Sequence, residues 1–234
     1  MTRIIRWIVS SAIIGIILQW TRNKRLLLSL VPGKRTSENC HKVVEDVKKR
    51  TGGRTDILFT SDEHSPYKEA IGEKYGQEIS QPKEPGQEGQ FTFNKEMPND
   101  LCYATVSKTR AKGRVVRIVK TIVFGTIELL NSWLVRSTVS TTINTSFVER
   151  HNGTDRGKNS RKRRKTYCFS KDWTIHNAIS YFVGFSYNFC WPVRTLRVQG
   201  EDGKWYQQTP AMSAGLADHI WSIEEWLTYP VRGS

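Results

Sequence analysis

Apolar and polar positions along the chain predict strands and helices in alternation. Residues 26–31 form a short apolar run closed by a Pro-Gly pair, which is typical of a buried strand followed by a turn. Further apolar residues recur at the spacing of one helix face, and the glycine pair at 52–53 ends that helix. Those helical positions are Cys40, Val43, Val44 and Val47. Residues 57–60 predict a second strand, and residues 65–75 predict a helix that Gly76 ends.

The second half of the chain continues the same alternation after a polar interval. Residues 77–100 are rich in Gln, Glu, Pro and Gly, which predicts a long loop or a mobile insertion. Strands are expected at 101–106 and 115–124 and a short helix at 126–134. A long apolar helix, expected to be largely buried, covers 173–190. This order of elements predicts an α/β layer architecture.

The N-terminal apolar run, residues 7–20, allows three interpretations. Its 14 residues are fewer than the roughly 20 that a membrane-spanning helix needs, and runs of this length are more often buried core. A signal peptide would need small residues at a cleavage site, but the run is followed by Thr-Arg-Asn-Lys-Arg. Buried core is favoured, and a membrane anchor through residues 4–20 and a signal peptide stay open as alternatives.

Positive charge is concentrated in two segments of this basic chain. The net charge is +14, and residues 1–35 contribute seven basic residues and no acid. Residues 150–165 contribute eight basic residues against Asp155, so these two segments account for the whole excess. Clustered positive charge indicates a polyanionic partner, with nucleic acid as the first candidate and an anionic membrane surface as the second.

The cysteines predict neither a disulfide framework nor a zinc site. Four cysteines lie far apart in sequence, with no Cys-x-x-Cys pair, and the five histidines are scattered. We therefore expect reduced thiols and a cytoplasmic location.

Two carboxylates stand out by position. Asp62 follows directly on a predicted strand, where its side chain can be aimed into a cleft, although it could equally cap the following helix. Glu149 lies just before the basic segment, although Ser146 and Glu149 also have the spacing of a capping box.

Together, these acids and the basic segment indicate metal-assisted phosphoryl transfer on nucleic acid. Carboxylate oxygens hold Mg²⁺, and two such ions can clamp the attacking and leaving oxygens of a phosphodiester. Basic side chains nearby would then bind the DNA backbone, although such a run could also be a solvated or localisation segment. The expected DNA-binding residues are Arg150, Arg156, Lys158, Arg161, Lys162, Arg163, Arg164 and Lys165.

Several segments, in order along the chain, resemble the DDE transposases of bacterial and archaeal insertion sequences. The similarity extends over roughly residues 25–230. The segments that carry it are VPGKRTSEN (31–39), LFTSDEHSPYKEAI (58–71), INTSFVERHN (143–152), KTYCFSKDW (165–173), YNFCWPVRTLR (187–197) and Thr209-Pro210.

The resemblance implies a ribonuclease-H-like mixed sheet flanked by helices, in which three carboxylates bind two Mg²⁺ or Mn²⁺ ions for strand cleavage and transfer. By this resemblance Asp62 corresponds to the second Asp, and Glu149 to the Glu, as catalytic and metal-binding residues. The first Asp should lie ahead of residues 26–31, yet the chain has no acid before Glu38. We therefore expect a fold that is incomplete at its first strands, in a truncated or frame-disrupted transposase.

These expectations define three regions and three candidate functions. Residues 1–24 are an unaligned N-terminal segment, 25–200 a transposase catalytic core, and 201–234 a C-terminal tail. The leading function is metal-dependent cleavage and transfer of DNA at insertion-sequence ends, in a protein that could form homo-oligomers. The alternatives are an inactive remnant that only binds DNA, and a basic protein anchored to a membrane through residues 4–20.

Overall fold

A six-stranded mixed sheet forms the centre of the protein, in a computed structural model that describes residues 5–9, 14–20, 24–82, 91–137, 140–163 and 167–230. The strand order is β3-β2-β1-β4-β7-β8. The β1–β4 and β4–β7 pairs are parallel, and the other three pairs are antiparallel. The strands of this sheet are β1 (Ile5–Val9), β2 (Ile14–Trp20), β3 (Leu26–Val31), β4 (Ile57–Asp62), β7 (Cys102–Ala111) and β8 (Arg114–Phe124).

The N-terminal apolar run supplies two strands of this sheet. β1 and β2 pair with each other, β2 also pairs with β3, and β1 pairs with β4 in the middle of the sheet. The expectation of a fold without its first strands is therefore wrong. A short, mostly apolar run does not distinguish two strands from one buried segment, because Ser10 and Ser11 are the only polar residues between the strands and this connection lacks the Gly, Pro, Asn or Asp that usually marks a turn. Within the described residues, no helix is long and apolar enough to cross a membrane.

Helices cover the sheet on both faces, and most begin at a side-chain cap. Thr36, Thr126 and Asp172 each accept a hydrogen bond from a backbone N–H in the first turn of the helix that follows. The helices are α1 (Ser37–Arg50), α2 (Ser65–Tyr75), α3 (Ile127–Val135), α4 (Ser146–Lys158), α5 (Trp173–Cys190), α6 (Pro210–Ala214) and α7 (Ile223–Thr228).

Alternation along β4 divides the core into two layers. Ile57 and Phe59 point to the side covered by α1 and α2, whereas Leu58 points to the side covered by α3. All three are essentially inaccessible to solvent, as strands flanked by helices on both faces require. The four valine and cysteine positions predicted as a helix face in α1 are also buried. The coarse prediction of an α/β sheet between helices is confirmed.

The polar interval at 77–100 contains structure that the sequence did not predict. Strands β5 (Gln77–Pro82) and β6 (Phe91–Glu96) form a separate antiparallel ribbon in place of the expected loop. The polar composition hides these strands, because a two-stranded ribbon needs no apolar face to satisfy its backbone hydrogen bonds. A second small ribbon joins β9 (Val198–Gln199) to β10 (Trp205–Tyr206).

The expectation that α5 is largely buried is wrong, because one side of the helix is exposed. Trp173 is 64% exposed and Ile175 is 47% exposed, while the buried stripe of the helix consists of small and polar residues with Tyr187. Gly184 is one of these small residues, and a Cβ there would lie 2.7 Å from Leu30 of β3. The helix can approach the edge of the sheet closely because most residues on its contact face have small side chains. Most of its large side chains lie on the other side of the helix.

A buried asparagine holds α5 against this edge. Asn188 accepts a hydrogen bond from the backbone N–H of Leu27 (2.9 Å) and donates one to the Leu27 carbonyl (2.7 Å). Its side-chain amide therefore provides the donor and acceptor that a further strand would provide to β3. Buried backbone groups without partners are costly, so this pair determines where α5 can dock.

Replacing Asn188 by Leu removes both hydrogen bonds and leaves the two backbone groups of Leu27 buried without partners. We expect the free energy of unfolding to fall by about 3 kcal/mol in urea titrations. The control is Asn131→Leu at an exposed position of α3, which should change stability by less than about 0.5 kcal/mol. Equal stabilities for the two variants would contradict the role given to Asn188.

Candidate nucleic-acid interface

Asp62 lies at the end of β4, and its carboxylate is bound by an arginine. Arg35, in the loop between β3 and α1, donates through Nη1 to Oδ2 (2.8 Å) and through Nη2 to Oδ1. The same guanidinium lies over the ring of Tyr67, at 5.6 Å from its centroid. Asp62 does not cap α2, since the N-cap position is His64. A bidentate arginine satisfies both carboxylate oxygens and neutralises their charge.

Glu149 lies in the first turn of α4 and is bound by a lysine. Lys108 of β7 lies 2.5 Å from its Oε1, and the Thr145 hydroxyl donates to the same oxygen at 2.9 Å. Partial burial alone would raise the pKa of Glu149, but these hydrogen bonds outweigh it and hold the pKa below its ordinary value. Ser146 donates to Asn144 instead, so the predicted capping box does not form.

The fold places Asp62 at the end of β4 and Glu149 on α4, bound to the neighbouring strand β7, but pairs each acid with its own cation. Asp62 is in register with Val106 of β7, two residues before the lysine that binds Glu149. Among the described residues, no group of three His, Cys, Asp or Glu side chains is placed to hold a metal ion. The first strand, β1, has the sequence Ile-Arg-Trp-Ile-Val and offers no carboxylate beside β4. These residues do not fit a two-metal site, which needs more carboxylate oxygens free of cationic partners.

The predicted DNA-binding residues separate into different environments. Arg150 and Lys158 line a cleft between α4 and the end of α5. Arg163 donates to the carbonyls of Arg156 and Gly157 in the last turn of α4. Arg161 is half-buried in the 3-10 turn that follows α4. Arg164 and Lys165 lie outside the described residues.

Lys162 does not belong to a phosphate-binding surface in this structure. Its ammonium lies 3.2 Å from the carboxylate of Asp155, and the two side chains are only 8% and 6% exposed. Burial raises the pKa of Asp155 and lowers that of Lys162, and their mutual attraction opposes both effects. The pair fixes the turn after α4 to the body of that helix.

The cleft between α4 and α5 has a volume of about 250 Å³ and combines positive charge with aromatic rings. None of its lining residues is acidic. Lys158 lies 3.0 Å from the centre of the Trp191 ring, a cation–π contact. The residues that give the cleft its character are Arg25, Arg150, Lys158, Arg194, Tyr187 and Trp191.

Electrostatics in the cleft favour an anionic ligand. Burial is the main cause that lowers the pKa of Arg25, and the neighbouring charge of Arg150 lowers it further. Burial also lowers the pKa of Lys158. Cations that are partly desolvated and close to one another repel, and a bound anion would relieve that repulsion.

The sequence pattern identified only part of this cleft. Arg150 and Lys158 belong to the basic segment, whereas Arg25 precedes β3 and Arg194 follows α5. No local spacing connects these positions, because tertiary packing alone brings them together. The spacing of 150, 154 and 158 along one helix face is the single signal in the sequence.

His151 forms part of the cleft wall as a neutral side chain. Its ring meets that of Tyr187 edge to face, with 4.9 Å between centroids. Burial lowers the pKa of His151 to about 4, with a smaller contribution from the charge of Lys162. The positive charge of the cleft at neutral pH therefore comes from arginine and lysine.

Comparison with protein-family models, curated proteins and solved structures gives no match in any of the three.

If Asp62 and Glu149 are satisfied by Arg35 and Lys108, added Mg²⁺ or Mn²⁺ should leave the melting temperature unchanged. An ion bound at about 100 times its Kd would add about 2.7 kcal/mol, a rise of several degrees for a chain of this size. The control is Asp62→Asn/Glu149→Gln, which should respond to the ions as the wild type does. A rise in the wild type that is lost in this variant would show a metal site.

Protonation of His151 should make the protein less stable in mild acid. Its folded-state pKa of about 4 lies below the ordinary value of 6.5, so the unfolded chain takes up the proton first as the pH falls from 6.5 towards 4. The stability is therefore fully present above that range and decreases as the pH falls through it.

In urea titrations, the free energy of unfolding of the wild type should fall between neutral pH and about pH 5, and His151 should account for at most about 2 kcal/mol of that fall. This part of the fall should be absent in His151→Phe. The matched control is Tyr187→Phe, which changes the same ring pair but removes a group whose pKa is about 12. Identical pH dependence in wild type and His151→Phe would contradict this prediction.

Proposed function

We propose that the protein binds DNA through the cleft between α4 and α5, and that it is a transposase-type protein without an assembled metal site. The observation that carries this proposal is the combination of four basic side chains and two aromatic rings in one cleft without an acid. Guanidinium and ammonium groups bind phosphate oxygens, and the exposed ring of Trp191 can stack on a base or sugar, whereas the buried ring of Tyr187 forms part of the cleft wall.

Support for a transposase-type protein comes from the resemblance together with the position of the two acids. Asp62 ends a parallel strand in the middle of the sheet, and Glu149 lies on a helix that packs beside β1. A ribonuclease-H-like core of this kind would set both acids at one end of the sheet. The mixed sheet between helices is compatible with that core.

DNA binding without cleavage is the version of this function that the geometry favours. β1 carries no carboxylate beside Asp62, and each acid already has a cation within hydrogen-bond distance. The same contacts give Asp62 and Glu149 a structural role, because each joins elements that are distant in sequence. Arg35 connects the start of α1 to β4, and Lys108 connects β7 to α4.

A charge-neutralised cleft variant, Arg150→Gln/Lys158→Gln/Arg194→Gln, should bind duplex DNA at least about tenfold more weakly than the wild type in fluorescence anisotropy. Each phosphate contact adds about 0.9 to the slope of log affinity against log salt, so the slope should become less steep by about 2 to 3. Unaltered far-UV circular dichroism and melting temperature would show that the fold is intact.

The matched control variant is Lys49→Gln/Lys68→Gln/Lys204→Gln, which removes the same charge at exposed positions outside the cleft. It should retain wild-type affinity within about twofold. Equal losses of DNA affinity in the two variants would show that the cleft residues act only through the net charge of the protein. Binding that does not depend on salt would exclude the proposed phosphate contacts.

Supercoiled plasmid incubated with the protein and Mg²⁺ or Mn²⁺ should remain intact. Nicking that disappears in Glu149→Ala would instead establish metal-dependent strand cleavage and overturn the proposal of an unassembled site.

A further inference from the structure

The ends of β7 and β8 form an exposed two-stranded segment, residues 108–120, which we call the basic ribbon. It contains six basic residues, and the sequence has no acid between Asp100 and Glu128. The basic residues are Lys108, Arg110, Lys112, Arg114, Arg117 and Lys120. Basic residues are about as frequent in this segment as in residues 150–165. They are spaced along two strands, however, and do not form a continuous basic run.

The basic ribbon extends away from the core of the sheet. Val116 is 60% exposed and Ile118 is 55% exposed, although both lie in a β-strand. The register continues from Ser107–Val119 to Ala111–Arg114, so the backbone remains paired out to the turn. Residues 107–111 of β7 pair with residues 114–119 of β8, and five residues at about 3.3 Å per residue give an arm roughly 17 Å long.

A tight turn makes the arm a defined structure. Lys112 and Gly113 have φ angles of 47° and 77°, the left-handed values that join two antiparallel strands with the native twist. A shift in register between Thr109 and Arg110 marks a bulge, which increases the twist of the arm. A paired, twisted ribbon is pre-organised for docking, because little backbone entropy is lost when it binds.

Cations lie on both faces of the arm. Lys108 is opposite Ile118 on one face, and Thr109 is opposite Arg117 on the other. Neither face is therefore a continuous apolar surface of the kind that inserts into a membrane. Like charges along β8 also oppose pairing with the β8 of a second copy, although its outer edge is unpaired within the described sheet.

The arm begins next to the proposed DNA-binding cleft. Lys108, at its base, contacts Glu149 in the first turn of α4, and the next residue of that helix, Arg150, lines the cleft. A duplex that contacts one of these surfaces therefore lies near the other.

We propose that the basic ribbon is an arm that enters the major groove of duplex DNA, and this inference rests on the proposed DNA-binding function. The major groove is about 12 Å wide and accommodates a two-stranded ribbon. The arginines and lysines beyond Lys108, which is bound to Glu149, contact the phosphates on both sides of the groove, and the exposed valine and isoleucine side chains contact thymine methyl groups. Such an arm would supply contacts to base edges, whereas the cleft contacts the backbone.

Duplex binding with the variant Arg110→Gln/Arg114→Gln/Arg117→Gln tests the arm, whose changed side chains are all exposed. We expect affinity at least about tenfold below the wild type and a salt slope less steep by about 2 to 3. Protection of guanine N7 from dimethyl sulfate reports occupancy of the major groove. That protection should be present with the wild type and with the cleft variant at saturating protein, and it should be lost with the arm variant.

The outcomes separate this inference from the proposed function. Wild-type protein that fails to bind duplex DNA would overturn both. Loss of binding in the cleft variant, with unchanged affinity and N7 protection in the arm variant, would overturn the arm alone. The arm would also be overturned if a minor-groove ligand displaces the protein from DNA and guanine N7 is not protected. It would be overturned as well if the arm variant changes only the self-association of the protein, measured by sedimentation. The control variant Lys49→Gln/Lys68→Gln/Lys204→Gln should behave as the wild type in every measurement.

Discussion

Two hydrogen bonds between Asn188 and the backbone of Leu27 fix the arrangement on which the candidate site depends. They complete the edge of β3 and thereby set the position of α5 along the sheet. Tyr187 is adjacent to Asn188, and Arg25 lies two residues before Leu27, so the same contact sets two walls of the cleft. The cleft is therefore a consequence of how one helix covers one exposed strand edge. Small residues on that helix, above all Gly184, make the close approach possible.

Positive charge has different functions in different parts of the molecule. Arg35, Lys108 and Lys162 are used internally, each bound to a carboxylate. No acid lines the cleft or occurs along the ribbon sequence, although Lys108 at the base of the ribbon is bound to Glu149 of α4. A count of charges by segment does not separate cations bound to internal carboxylates from cations at the surface. A buried ion pair and two opposite charges that are both exposed contribute the same net charge. Partner binding depends on where folding places the cations at the surface.

Much of the fold could be predicted from local patterns. The helical spacing in α1, the apolar stretches of β3 and α5 and the stretch that Gly76 ends in α2 predicted these elements, because residues that start or stop a strand or helix flank them. β1 and β2 could not be recognised, since an apolar run of that length is compatible with strand, helix or membrane segment. β5 and β6 were hidden by their polar composition. The burial of α5 was overestimated, because its apolar composition predicted a largely buried helix and only its face of small and polar residues with Tyr187 is buried.

The candidate site was predictable only where its residues are close in sequence. Asp62 and Glu149 were found by their positions, but their cationic partners come from other elements. Lys162 belongs to a basic run in the sequence, yet folding buries it beside Asp155. The six cations of the basic ribbon were missed because acids elsewhere in the chain balance them in the total. Acids and bases that cancel in the net charge can lie on different surfaces after folding, and the sequence does not show that separation.

The outer edge of β8, unpaired within the described sheet, affects how the protein behaves in concentrated solution. Its outer backbone groups could pair with those of another molecule, and mutual repulsion between its arginines and lysines opposes that contact. At about 1 M salt the screening length falls to about 3 Å, and this repulsion no longer acts between molecules. Colloidal stability should therefore be lowest at high ionic strength, where many basic proteins are kept to prevent precipitation. A moderate salt concentration, or a soluble polyanion that itself occupies the edge, suits this protein better.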